Sequence, residues 1–206
     1  WTEGSPITED LVIYVKTEDL LSKFVPTGVV SEFVCADDVT NKIYAWNIVA
    51  SDGKATFTST NGAVGNSKSY SKFTLAKNSI LSFDYVVGSE SNYDKLIVKI
   101  NGTDKLTVSG ENKVGNFNYK LSANDVVEIY YSKDGGGDKN GDTVTLTNLK
   151  FTDGYPSTTI TYVYNDGVTV DGTGSIDYLG TLTEEHLQAP ENVRDAESYN
   201  FRGWYL

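Results

Sequence analysis

Between Ile43 and Phe151 the chain is interrupted again and again by Gly, Asn, Asp and Ser, and the stretches between interruptions are too short for a helix of useful length. What they carry instead is alternation of apolar and polar residues, as in 55–58, 69–75, 80–87, 95–100, 106–108, 126–131 and 143–151. Period-two alternation predicts half-buried strands, and its recurrence at short intervals predicts an all-β sandwich rather than alternating strands and helices. Faces follow directly. In residues 95–100, Leu96, Val98 and Ile100 share the core side, while Lys95 and Lys99 share the other. Along 143–151 the apolar phase moves from Val144 and Leu146 to Leu149 and Phe151, which predicts a bulge or an edge twist. Ahead of this region, 11–15 reads as a strand and 18–24 as one or two helical turns before Pro26.

Composition narrows the functional classes. With 206 residues the chain can form a sandwich with a real core plus a small second module. A net charge of -11 disfavours non-specific binding to nucleic acids and anionic membranes, which relies on clustered Lys and Arg. No apolar run approaches the roughly 18 residues of a membrane helix, so no membrane insertion is expected. One cysteine, Cys35, excludes an internal disulfide, and one histidine, His186, excludes His- or Cys-rich zinc sites. No cofactor and no metal are expected. The 14 Tyr and 19 Gly suit half-buried strands, tight turns and glycan recognition. Sparse cysteine in an exported chain fits a bacterial surface better than eukaryotic secretion.

The final segment is distinctive in its order of elements. A strand over Thr159-Ile160-Thr161-Tyr162-Val163-Tyr164 leads to a turn at Asn165-Asp166-Gly167. A short strand, Tyr178-Leu179-Gly180-Thr181-Leu182, follows, then a proline at 190 and Tyr199-Asn200-Phe201-Arg202-Gly203-Trp204-Tyr205. This resembles the Listeria–Bacteroides repeat, a small β-grasp-like module of bacterial surface proteins. The resemblance implies a secreted or cell-surface, extracellular setting, with Phe201 and Trp204 in the repeat's own core. The family's closing strand is missing, so the chain is expected to be a fragment of something longer. Upstream, the runs 81–87, 89–96 and 100–102, with Tyr130-Tyr131-Ser132-Lys133-Asp134-Gly135 and Asp142-Thr143-Val144, are similar to a jelly-roll sandwich common in large exported bacterial proteins. The turn-rich tract 153–157 separates the two. The expected organisation is a β-sandwich over 1–154 and an incomplete repeat over 155–206.

Three site chemistries can be weighed on the residues. Glycoside hydrolysis needs two carboxylates at a fixed separation. Asp84, Glu90, Asp94, Asp134 and Asp142 are available, but they sit at turns and strand edges, where such residues cap backbone groups or pair with Lys95 and Lys133. No nucleophile elbow, phosphate loop or zinc motif is present, and no catalytic residue is assigned. In the glycine-rich loop 134–142, Asp138, Asn140 and Asp142 alternate as in the start of an EF-hand, yet Thr143 and Leu149 stand where Gly and Glu are needed. His186 reads as a solvated side chain.

Sugar binding requires an aromatic ring against one face of a pyranose and polar groups for its hydroxyls. If Ile43 and Ala45 face inward, Tyr44 and Trp46 form an outward platform beside Asn47. Tyr93, Tyr119, and Tyr70 with Lys68 are further candidates, against the alternative that a sandwich tryptophan is a core residue. The whole pattern is similar to starch-adherence proteins of gut bacteria. That implies non-catalytic binding of a polysaccharide, starch or another α-glucan, and possible contacts with other surface-scaffold proteins. The alternative is an adhesin or structural stalk segment with a protein partner.

Overall fold

The computed structural model describes residues 20–62, 64–136 and 141–155 in full, and the backbone of 157–163 and 170–177. The chain divides into two compact units, 1–154 and 155–206. In the first, the strands are β1 (Val30–Val34), β2 (Ile43–Ala45), β3 (Asn47–Ser51), β4 (Lys54–Thr58), β5 (Lys68–Leu75), β6 (Ser79–Gly88), β7 (Lys95–Ile100), β8 (Thr103–Val108), β9 (Lys113–Leu121), β10 (Val126–Ser132) and β11 (Thr143–Phe151).

They form two sheets, one ordered β1-β5-β10-β7-β8 with β2 also on β5, the other β3-β4-β11-β6-β9. From β4 onward the chain crosses between sheets at nearly every connection, only β7 and β8 being joined within one. The resulting orders β4-β11-β6-β9 and β5-β10-β7-β8 define a jelly roll, the double Greek key of all-β proteins. The all-β sandwich expected from alternation is therefore the architecture of this unit. β1 and β3 extend it at one edge of each sheet, and β2 lies parallel to the start of β5.

Local sequence explains the hairpins. Asp52-Gly53 joins β3 to β4 and Asn101-Gly102 joins β7 to β8, with positive φ at all four residues (52, 75, 50 and 76°). That is the tight two-residue turn whose twist matches its strands. The phase change in β11 is a bulge. Register slips after Leu146 against β4 and after Thr147 against β6, with Asn148 at φ 55°, so that Val144, Leu146, Leu149 and Phe151 all face the core. Residues 20–25 close a helical turn, the Val25 N–H donating to the Leu21 carbonyl at 2.9 Å, as the sequence before Pro26 predicts.

The core lies between the sheets. Phe57, Phe73, Leu81, Leu96, Val98, Val127, Ile129, Val144 and Leu146 are fully buried, each such side chain stabilising by about 1.5–3 kcal/mol. Aromatic contacts tie the early chain to it: Phe24 meets Phe57 edge-on at 5.8 Å, and Phe33 stacks on Phe73 at 4.6 Å. The sequence reading did not single out β1, β3 or β9. β9 is an edge strand whose polar Lys113–Leu121 run gives little alternation, and it is held by full pairing with β6.

In the second unit, β12 (Ser157–Val163) and β13 (Val170–Asp177) pair antiparallel, Ser157 opposite Asp177 and Val163 opposite Val170. β12 overlaps the strand expected at 159–164. β13 was not expected, because its Asp171-Gly172-Thr173-Gly174 composition reads as a turn. The expected strands at 11–15 and 178–182, the aromatic end with Phe201 and Trp204, His186, Asp138 and Asn140 lie outside the described residues. Among the described residues no helix is long and apolar enough to cross a membrane.

Candidate functional site

The outer face of the first sheet gathers aromatic and charged side chains in register. Tyr70 on β5 stands directly opposite Tyr130 on β10, and Tyr130 opposite Ile97 on β7. One row along, Ser132 lies between Lys68 and Lys95; one row the other way, Glu128 lies between Lys72 and Lys99. The alternation that buries Ser69, Ser71, Ile129 and Tyr131 leaves these neighbours half-buried on the opposite side. The two phenol rings are 6.3 Å apart and inclined by 37°. The Lys68 amino group sits over both, 4.7 Å from the Tyr70 centroid and 5.7 Å from that of Tyr130, a cation–π arrangement.

Several charged groups on this face have polar or oppositely charged partners. The Tyr70 hydroxyl donates to Glu128 Oε1 at 2.8 Å. Lys72 pairs with Glu32 at 3.1 Å and Lys99 with Asp104 at 3.3 Å. Burial, reinforced by the Glu128 hydrogen bond and charge, raises the Tyr70 phenol far above its ordinary value. Burial also raises Tyr130, against the pull of Lys99. Both phenols remain neutral donors. Hydrogen bonding to Asp104 foremost raises Lys99, and bonds from Lys72 and Thr74 hold Glu32 below the usual carboxylate range. The result is an aromatic pair rimmed by donors and acceptors.

The residues singled out in the sequence do not form one site. Lys68 and Tyr70 belong to the face just described. Trp46 does not lie on an exposed platform, and that expectation is corrected: it is 4% exposed and part of the core. Its indole N–H donates to the Ile129 carbonyl at 3.3 Å, and its ring lies 6.1 Å from Phe57. The phase of β2 is the reverse of the one assumed. Ile43 and Ala45 align with Lys68 and Tyr70, whereas Tyr44 aligns with buried Ser69. Tyr44 and Trp46 thus share the inward side, with Tyr44 half-buried at the sheet edge. Asn47 is exposed but opens β3 in the other sheet, opposite Thr58. Tyr93 is 60% exposed in the turn before β7. Tyr119, half-buried on β9, stacks flat on Phe117 at 6.0 Å with the Lys105 amino group 5.6 Å from its ring.

Tyr130 and Glu128 were missed, although the signal was present. In 126–131 the residues Val127, Ile129 and Tyr131 share one parity, which puts Glu128 and Tyr130 together on the other. Of the acids considered for hydrolysis, Asp84 accepts a hydrogen bond from Asn148 at 2.8 Å, and Asp134 accepts one from the Gly136 N–H at 3.0 Å. Asp94 and Asp142 are buried and converge on Lys133. The lone thiol, Cys35, accepts the Trp46 backbone N–H at 3.3 Å, and burial pushes its pKa up to about 11.

No protein-family model and no curated protein sequence matches the chain. Among solved structures it is similar to the secreted serine protease VesC from Vibrio cholerae, with 17% identity and a TM-score of 0.48 over 68% of this chain. The matched part is 27% of that protease. It is also similar to TmCBM61, solved in complex with β-1,4-galactotriose, at 12% identity and TM-score 0.32 over 62% of this chain and 92% of that one. A family 35 carbohydrate binding module from an environmental isolate is similar at 14% identity and TM-score 0.27 over 63% and 95%. At these values the likenesses carry no argument about ligand or reaction. The architecture rests on the strand pairing.

Proposed function

We propose that the first unit is a non-catalytic carbohydrate-binding module of a secreted or cell-surface protein, and that it holds a polysaccharide against the Tyr70–Tyr130 face. The observation that carries this reading is the in-register tyrosine pair with Lys68 above it and Glu128 beside it. A sugar ring laid on a phenol in place of the Lys68 amino group removes its C–H face from water, while the displaced Lys68, with Lys95, Ser132 and Glu128, addresses its hydroxyls. Because Lys72, Lys99 and Glu128 are already matched by opposite charges or donors, a neutral polymer suits the face. Starch or another α-glucan is the polymer that the sequence resemblance implies. Two small rings bury little area, so affinity should be modest, about micromolar to millimolar. The second unit is read as a Listeria–Bacteroides-type repeat acting as a spacer.

The test is retention on insoluble starch beside a panel of other polysaccharides. Loss of retention in Tyr70→Ala and Tyr130→Ala proteins that remain folded supports the reading; no retention of the intact protein on any polymer removes it. One observation favours the adhesin alternative. On the outer face of the other sheet, Val86 pairs with Val114, both exposed, and exposed Val49 lies on β3 of that sheet. Val49 stands apart from that pair, across β4 and β11, but exposed aliphatic side chains without rings fit a protein partner better than a glycan.

A further inference from the structure

Lys133, Asp142 and Asp94 meet at one end of the sandwich, where β10 ends in the first sheet, β11 begins in the second, and β7 starts beside β10. All three are withdrawn from water, their side chains 1, 8 and 0% exposed. The Lys133 amino group touches Oδ2 of Asp142 and stands 3.6 Å from Oδ2 of Asp94. Neither Oδ2 accepts a hydrogen bond of ordinary geometry. The other oxygens are fixed: the Tyr131 hydroxyl donates to Oδ1 of Asp142 at 2.5 Å, and the Asp134 N–H donates to Oδ1 of Asp94 at 2.9 Å. As ions, the trio would leave a surplus negative charge in the core, and burying charged groups is costly even when they are paired.

These groups are also the parts of a condensation: an amine against a carboxyl carbon, a second carboxylate to carry protons, and a phenol donor aimed at the carboxyl oxygen that remains. We propose that Lys133 and Asp142 become joined by an amide bond formed within the folded sandwich. Lys133 gives a proton to Asp94, and its Nζ lone pair attacks Cγ of Asp142. Tyr131 stabilises the charge that develops on Oδ1. Protons relayed by Asp94 reach the departing oxygen, the Cγ–Oδ2 bond breaks and water leaves. An ammonium and a carboxylate thus become one amide and one water, with no change of oxidation state, and Asp94 ends ionised as it began. Fixed contact replaces a bimolecular encounter, and two buried charges disappear. The amide ties the two sheets together across the 134–141 connection.

The experiment is intact-mass spectrometry and tryptic mapping of the denatured full chain. The expected mass is one water below that of the sequence. Trypsin should fail after Lys133 but cut after Lys139, giving a branched peptide in which 121–139 is joined to 140–150. Lys133→Arg and Asp94→Asn should restore full mass. Asp142→Asn should condense with loss of ammonia instead of water. Full mass in the folded wild-type protein, with normal cleavage after Lys133, overturns the proposal and leaves an ion-paired cluster. A water loss that maps to an Asp-Gly succinimide, with Lys133 still cleaved, overturns it equally.

Discussion

Trp46 follows directly on Ala45, the residue that pairs with Tyr70, yet the two aromatic side chains end on opposite sides of the same sheet. Around Trp46 the environment is closed. Its N–H is satisfied by the Ile129 carbonyl, its ring meets Phe57, and its role is to fill volume. Around Tyr70 the environment is half open, with a lysine over the ring and a carboxylate on the hydroxyl. A single step along the chain, from Ala45 to Trp46, crosses from the side that Tyr70 shares to the core side, because side chains of successive strand residues point to opposite faces. On the proposed function, large aromatic area has two separable uses here, and mutation should divide them.

The largest expected effect is Trp46→Ala. Removing a buried indole should destabilise the sandwich by about 3–5 kcal/mol, read as a shift in the urea midpoint. Starch retention, measured well below the melting temperature, should persist in the fraction that stays folded. Abolished retention in a variant of unchanged stability would break the comparison.

Next come the outer rings. Tyr70→Ala and Tyr130→Ala should each weaken glycan binding about tenfold, equivalent to about 1.4 kcal/mol, in affinity electrophoresis against soluble starch. Tyr130→Phe, which keeps the ring, should retain most of the binding; equal loss in Phe and Ala variants would assign recognition to the hydroxyl instead.

Cys35 offers a reading of the inner side alone. With its pKa raised by burial to about 11, the thiolate is scarce at pH 8. Alkylation should be much slower than for a free thiol and should accelerate in urea. Rapid modification of the native protein would show that the Trp46 neighbourhood opens.

The smallest effect belongs to the rim. Lys72→Ala removes an exposed pair with Glu32 and should leave the melting temperature unresolved from wild type in differential scanning fluorimetry.

Much of this division was legible in the sequence where burial alternates cleanly. β7 reads as it folds, with Leu96, Val98 and Ile100 inward, and the bulge in β11 is visible as a phase change because both halves must bury apolar residues. β2 was not legible. Its three residues are all half-buried, so alternation carries no sign, and its phase is set by parallel pairing with a strand far along the chain. β9 was silent because an edge strand with polar outward positions lacks the contrast that marks a core strand. The tyrosine pair needed one further fact: that β5 and β10 are neighbours, in a register placing Tyr70 opposite Tyr130.

The position of β11 reaches into how the protein comes into being. It is the last strand of the sandwich in the chain, and it lies at the middle of its sheet, between β4 and β6. While the polypeptide is being made, β4 and β6 each wait with one unsatisfied edge until residues 143–151 have emerged, and edges of that kind recruit other chains. Long-range closure of this sort is slow, on the order of milliseconds to seconds. A chain cut short before Thr143 carries every strand of the first sheet but leaves the second split into β3-β4 and β6-β9, with no central strand to join the halves.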